Sequence, residues 1–96
     1  MVNKVKLIDK IQDLVYTNEN DKIIADKLIS NYIKLINYTN FDNYRVKIRL
    51  PISLEVRHKA YSKIVKINFI NNQLCINELP IELNEINKIL PTYFES

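Results

Sequence analysis

Glycine is absent from the 96 residues, although at an ordinary usage of about 7% a chain of this length lacks it only roughly once in a thousand cases. Phosphate-cradling loops, dinucleotide fingerprints and nucleophile elbows all need a residue that takes positive φ without strain or lets backbone approach a ligand closely, so none can be built here in the usual way. Tryptophan is also missing, and cysteine and histidine occur once each. Cys75 alone can form no internal disulfide and gives no reason to expect an oxidising compartment. One Cys and one His fall short of the four ligands of structural zinc and the three of most catalytic sites, so neither metal nor cofactor is expected. Long apolar runs are lacking too. Lys34, Lys47, Glu55, Lys66 and Glu78 interrupt every candidate, and none reaches the roughly 20 residues that span a bilayer. Lys4, Lys6, Asp9 and Lys10 break the first ten residues, so no signal-peptide core is present there. The expectation is a soluble, cytoplasmic protein without a membrane partner.

Apolar residues make up 47% of the chain and charged residues 26%, which suits a single globular domain over 1–96 with one modest core. Ile, Asn and Lys dominate, and their codons are A/T-rich. Such a bias points to an A+T-rich genome, among which phages and other mobile elements are common.

Hydrophobic spacing sets the elements. Val5, Ile8, Ile11 and Val15, with Leu7 and Leu14 beside them, recur at intervals of three and four and predict an amphipathic helix over Val2–Tyr16. Thr17–Asp21 is turn-prone, and Asn18, followed three residues later by Asp21, can cap a second helix running to about Asn37. Its buried stripe is Ile24 or Ala25, Leu28, Ile29, Tyr32, Leu35 and Ile36. A short connection makes the pair an antiparallel hairpin. Beyond an Asn-rich turn at 37–43, Tyr44–Leu50 alternates without error: Tyr44, Val46, Ile48 and Leu50 on one face, Arg45, Lys47 and Arg49 on the other. Lys63–Ile70 and Gln73–Leu79 flank Asn71-Asn72, the pair best able to make a type I′ turn without glycine, which sets Phe69 opposite Leu74 and Ile67 opposite Ile76. Ile52–Ser62 reads as a short strand through Ile52, Leu54 and Val56 followed by a turn, or as a helix opened by Ser53, the strand being preferred. Leu83, Ile86, Ile89 and Leu90 lie at helical spacing between Pro80 and Pro91, predicting a short closing helix over Ile81–Leu90. The expected fold class is α+β: an N-terminal helical hairpin, an antiparallel sheet of three to four strands and a short C-terminal helix.

Charge is distributed unevenly along this plan. Residues 1–43 carry six Lys against six acids, whereas residues 44–66 carry Arg45, Lys47, Arg49, Arg57, Lys59, Lys63 and Lys66 against Glu55 alone. Strand period sets Arg45, Lys47 and Arg49 about 7 Å apart in one line, near the spacing of phosphates along a nucleic-acid strand. Arg45, Lys47, Arg49, Arg57, Lys59 and Lys66 are therefore the candidate anion-binding residues, with Tyr44, Tyr61 or Asn68 able to add stacking or hydrogen bonds. The segment RVKIRLP at Arg45–Pro51 resembles the opening of a ribbon-helix-helix DNA-binding protein over at most Tyr44 to about Lys66. It departs from that family in lying mid-chain and in carrying the strand-like KIVKINFI where a second helix belongs, so no site residue is transferred.

Other reactive residues read as structural. His58, between Arg57 and Lys59, is expected as an exposed turn residue, and Cys75 as a small hydrophobe. Glu82 with Glu85, and Asp9 with Asp13, are expected on solvated helix surfaces. Tyr32 and Tyr38 are read as core and core rim. The functional expectation is a non-enzymatic binding protein whose basic sheet face takes an anionic partner: nucleic acid, or the acidic surface of a host nucleic-acid-processing complex, blocked sterically as by an anti-CRISPR-like inhibitor. The alternative is a homodimer that buries the sheet, suggested by Ile64 and Ile70 on the polar side of their strand.

Overall fold

Two side-chain caps start the helices of the computed structural model, which describes residues 2–95. Asn3 accepts a hydrogen bond from the Lys6 N–H at 3.1 Å and opens α1, Lys4–Asn18. Asp21 accepts from the Ile23 and Ile24 N–H groups at 2.9 and 3.3 Å and opens α2, Lys22–Tyr38. Each carboxylate or amide oxygen satisfies backbone donors that the helix itself leaves unpaired. Asn18 plays no part in starting α2. It is the last residue of α1, and its Nδ2 turns back to donate to Leu14 O at 2.7 Å.

The hairpin buries a stripe of Ile11 and Val15 from α1 and Ala25, Ile29, Tyr32, Leu35 and Ile36 from α2. Ala25 takes the position for which Ile24 also competed, and Val5, expected in the stripe, is 68% exposed. Lys4 Nζ ties the start of α1 to the end of α2 by donating to Thr39 O at 2.8 Å and Asn37 O at 3.3 Å. That link brings the first turns of α1 to the point where the chain leaves α2 for the sheet.

Five strands follow: β1 (Tyr44–Arg49), β2 (Ser53–His58), β3 (Ile64–Ile70), β4 (Gln73–Ile76) and β5 (Leu79–Pro80), antiparallel in the order β1-β2-β3-β4-β5. The chain is α+β as expected, with one strand more. Val46 pairs with Val56, Leu54 with Ile67, and Ile67 with Ile76, so the inner residues of four strands meet in rows under the helices. Phe69 opposes Leu74, the register expected from the Asn71-Asn72 turn. Ser53–His58 is a strand, which removes the helix that the ribbon-helix-helix resemblance requires. Leu50 does not continue the inner face. β1 ends at Arg49, and Leu50 is 63% exposed in the turn beyond it.

Both late hairpins turn through left-handed backbone: Asn71 and Asn72 have φ of 50° and 65°, Asn77 and Glu78 of 50° and 68°. The second turn splits the expected Gln73–Leu79 strand into β4 and β5. Asn tolerates this region because its short side chain bonds locally, whereas Glu has no such compensation. The C-terminal segment is less helical than its spacing predicts. Only Ile86–Ile89 (α3) is α-helical, between 3-10 turns at Leu83–Glu85 and Leu90–Tyr93, and Pro91 sits near the start of the second turn rather than stopping the helix. Ile86, Leu90 and Phe94 nevertheless reach the same core.

Tyr32 joins the layers. Its ring is wholly buried, edge-on to Phe69 with centroids 5.0 Å apart, and its hydroxyl donates to Ile52 O at 2.8 Å. Burial pushes this phenol well above the usual tyrosine range.

Glu78→Gly relieves a left-handed glutamate at the cost of added chain entropy, a net gain of about 0.5–1 kcal/mol, seen as a rise of roughly 3–6 °C in Tm. Because Tyr32 keeps its proton in the fold and loses it more readily when unfolded, stability is fully present below the ordinary phenol pKa and falls as pH rises above about 10. Tyr32→Phe leaves Ile52 O without that donor and costs about 1–1.5 kcal/mol at neutral pH. Urea titrations between about pH 8 and 11 should show the variant losing less stability with alkalinity than the parent.

Candidate anion-binding surface

The helices and the C-terminal segment pack on one side of the sheet. Strand alternation therefore sends Arg45, Lys47 and Arg49 of β1, Glu55 and Arg57 of β2, and Lys66 of β3 to the opposite side. All but Glu55 are exposed. Register fixes their mutual placement: Arg45 lies directly across from Arg57, while Lys47 faces Glu55, which in turn faces Lys66.

Glu55 is thus the acidic centre of a basic field. Arg49 Nε donates to Glu55 Oε2 at 2.6 Å. That hydrogen bond, with the Arg49 charge and those of Arg57 and Lys47, holds the Glu55 carboxyl below its ordinary range against the opposing effect of desolvation. The same contact raises the Arg49 guanidinium. Lys66 Nζ is 3.8 Å from Glu78 Oε1, a looser pair between exposed groups. Among the described residues, Arg45, Lys47 and Arg57 have no carboxylate within ion-pair distance.

Five of the seven sequence-predicted site residues consequently share one surface. Lys59 stands off it, in the turn after β2, where its N–H donates to Asn43 O at 3.0 Å. Tyr44 lies behind it. The ring is 6% exposed, packed edge-on against His58 at 5.1 Å and near Phe94 at 5.3 Å, and so offers no stacking platform. Burial and then the Glu95 carboxylate push its phenol upward. His58 is no exposed turn residue either. It ends β2 on the core side, half-buried among Tyr44, Tyr61 and Phe94, and its Nδ1 accepts the Ala60 N–H at 3.0 Å. The sheet holds His58 and Cys75 apart. Cys75 is buried on the outer side of β4, with β3 between it and β2, and its Sγ approaches Gln73 O at 3.5 Å. Glu82, Glu85, Asp9 and Asp13 are exposed. Among the described residues no three His, Cys, Asp or Glu side chains gather as a metal site, and no helix is long and apolar enough to cross a membrane.

Two cations that the charge tally by segment had cancelled belong to the same region. Lys6 and Lys10, one helical turn apart on α1, line a cleft of about 520 Å³ together with Arg45, Val46 and Lys59. Their i, i+4 spacing is visible in the sequence, but only the docking of α1 beside β1 makes it relevant. On the outer face itself a smaller depression of about 270 Å³ includes Ser53, Lys66 and Asn68, whose buried Oδ1 has no hydrogen-bond partner.

Compared with known proteins, the chain matches no family model, and neither a curated protein nor a solved structure is significantly similar to it.

The Glu55 pairing gives a pH prediction. A carboxyl held below its ordinary value of 4.5 stabilises the fold above that pH and ceases to do so as pH falls through the lower, folded-state value. Glu55→Gln should flatten the acid limb of the stability profile measured by urea unfolding below about pH 5. The change at neutral pH is small because the pair lies at the protein surface, with the Arg49 side open to solvent.

Proposed function

We propose that the protein is a non-enzymatic binding protein that docks its open sheet face on the acidic surface of a partner protein. The observation that carries this reading is the cluster of Arg45, Lys47, Arg57 and Lys66, exposed around the carboxylate of Glu55 on a face free of the packed helices. Arginine and lysine held on a rigid sheet pay less ordering entropy at an interface than the same groups on loops, and their summed field steers an acidic partner into place. A protein surface fits this face better than nucleic acid does. Base stacking needs an aromatic platform on the basic face, whereas Tyr44 is turned into the core and Tyr61, though half-exposed, packs beside His58 in the segment after β2. Major-groove reading needs a protruding helix or two-stranded ribbon, whereas β1 and β2 are part of a five-stranded sheet. Covering the partner's surface is the mechanism available to such a chain, with a host nucleic-acid-processing complex as the class of target. Self-association through this face is disfavoured: Ile64 and Ile70 stand at opposite ends of β3, about 20 Å apart, with Lys66 and Asn68 between them.

The test is fluorescence anisotropy with labelled poly-L-glutamate and, separately, a 20-base-pair DNA duplex. Arg45→Glu/Lys47→Glu/Arg57→Glu spares the Arg49–Glu55 pair and should weaken poly-L-glutamate binding at least about 100-fold while Tm stays within a few degrees. Unchanged affinity in that variant overturns the proposal. Tighter binding of the duplex, with a log–log salt slope of about −3 to −4, would transfer the face to nucleic acid.

A further inference from the structure

The two edges of the sheet are unequal. β5 is two residues long and ends in Pro80, which has no N–H to offer, so little can be added there. β1 is six residues long. Lys59 N–H donates to Asn43 O one position before the first β1–β2 pair, which makes the alternate pairs Arg45–Arg57, Lys47–Glu55 and Arg49–Ser53 the hydrogen-bonded ones. The same parity carried across the sheet puts Lys66 in hydrogen-bonded register with Asn77 and leaves Leu74 to accept from Ile81, and both bonds are present, at 2.8 and 3.0 Å. The N–H and C=O groups of Val46 and Ile48 therefore point away from β2, to the open edge, and among the described residues no side chain hydrogen-bonds to them.

Tyr44, Arg45 and Val46 of that edge form one wall of the 520 Å³ cleft, α1 forms the other, and the edge runs on past the cleft to Ile48. Lys6 and Lys10 come from the helix, Arg45 from the strand, and Lys59 from the turn at the Tyr44 end of β1, while Leu7 and Val46 supply apolar floor. No carboxylate lines the cleft, and none of its four cations is in an ion pair among the described residues.

We infer that this cleft binds an acidic segment of a partner protein in extended conformation, added to β1 as a sixth strand. Unpaired backbone groups supply sequence-independent hydrogen bonds at Val46 and Ile48, and alternate side chains of the incoming strand point to the two sides. Acids on one side meet Arg45 and Lys47, and acids on the other meet Lys6 and Lys10. The charge pattern also excludes the most abundant competitor, a second copy of this chain: pairing β1 with β1 would bring Arg45 and Lys47 against their own duplicates, and like charges across strands are destabilising. This inference rests on the reading above that the partner is an acidic protein, and it names the segment and mode by which the partner is held.

The probe is a labelled decapeptide repeating Val-Val-Glu-Glu, which sets acids on both sides of an extended strand, added to the full chain. Saturable binding is expected, with the Val46 and Ile48 amides becoming protected from hydrogen exchange. Lys6→Glu/Lys10→Glu, both exposed positions on α1, should weaken it at least about 30-fold with little change in Tm. N-methylation of the peptide at alternate residues in one register should abolish binding, while methylation in the other register should leave it. Binding without protection of those two amides, indifference to the Lys6/Lys10 reversal, or complete displacement by a single-stranded oligonucleotide at equal concentration would each overturn the inference. If the peptide ignores Lys6 and Lys10 but responds to Lys47→Glu/Arg57→Glu/Lys66→Glu, the cleft is wrong and the open-face reading stands. Indifference to both sets removes both.

Discussion

A sheet covered on one side only is the constraint on which the rest of this molecule depends. The helical hairpin and the C-terminal segment together supply one apolar layer, and every strand must send its hydrophobic residues to meet it. Because strand side chains alternate, whatever occupies the intervening positions is delivered as a set to the other face. Arg45, Lys47, Arg57 and Lys66 are gathered by this packing requirement as much as by their own chemistry. A one-residue slip of β1 would bury three cations, so the stability of the core and the placement of the basic surface are enforced by the same register.

The missing glycine constrains the same sheet from its turns. A meander of short antiparallel strands needs left-handed backbone at tight hairpins, and here Asn71, Asn72 and Asn77 provide it. Glu78 is the exception, a residue with no intrinsic preference for that region, held by the pairing of Ile76 with Leu79. Its carboxylate approaches Lys66 on the outer face. Local strain in the last turn and the charge balance of the basic surface therefore meet in one side chain.

Much of this was legible in the sequence. Strict alternation at Tyr44–Arg49 revealed β1 and its two faces, three-four spacing revealed both helices, and Asn71-Asn72 revealed a hairpin and its register. Three things were hidden, each for a physical reason. The β4–β5 turn depends on Glu78 adopting positive φ, which no residue preference signals. Tyr44 alternates with Arg45 and so read correctly as inward, yet its distance from a partner follows only from the packing of His58 and Phe94 around it. Lys6 and Lys10 vanish in a tally by segment because Asp9 and Asp13 offset them along the chain, although the cleft beside β1 is lined by the lysines and not by the acids. Charge summed over sequence measures a solvated polymer, whereas a binding surface is selected by which side of a helix faces a neighbour.

Cations along an open edge have two physical consequences that are often treated separately. They discourage uncontrolled strand addition, because a neutral strand gains nothing from desolvating them and a basic one is repelled. They also favour one kind of strand, because the cost of desolvating them is offset where an incoming chain places negative charge opposite them. In this protein the helix beside the edge carries the same sign, so under the inferred strand addition cations stand on both faces of an incoming strand at once. A guard built from charge of one sign thus works as a filter for the other. That is why the long, exposed β1 edge and the excess of Lys and Arg beside it are better understood together than as a packing liability and a composition bias.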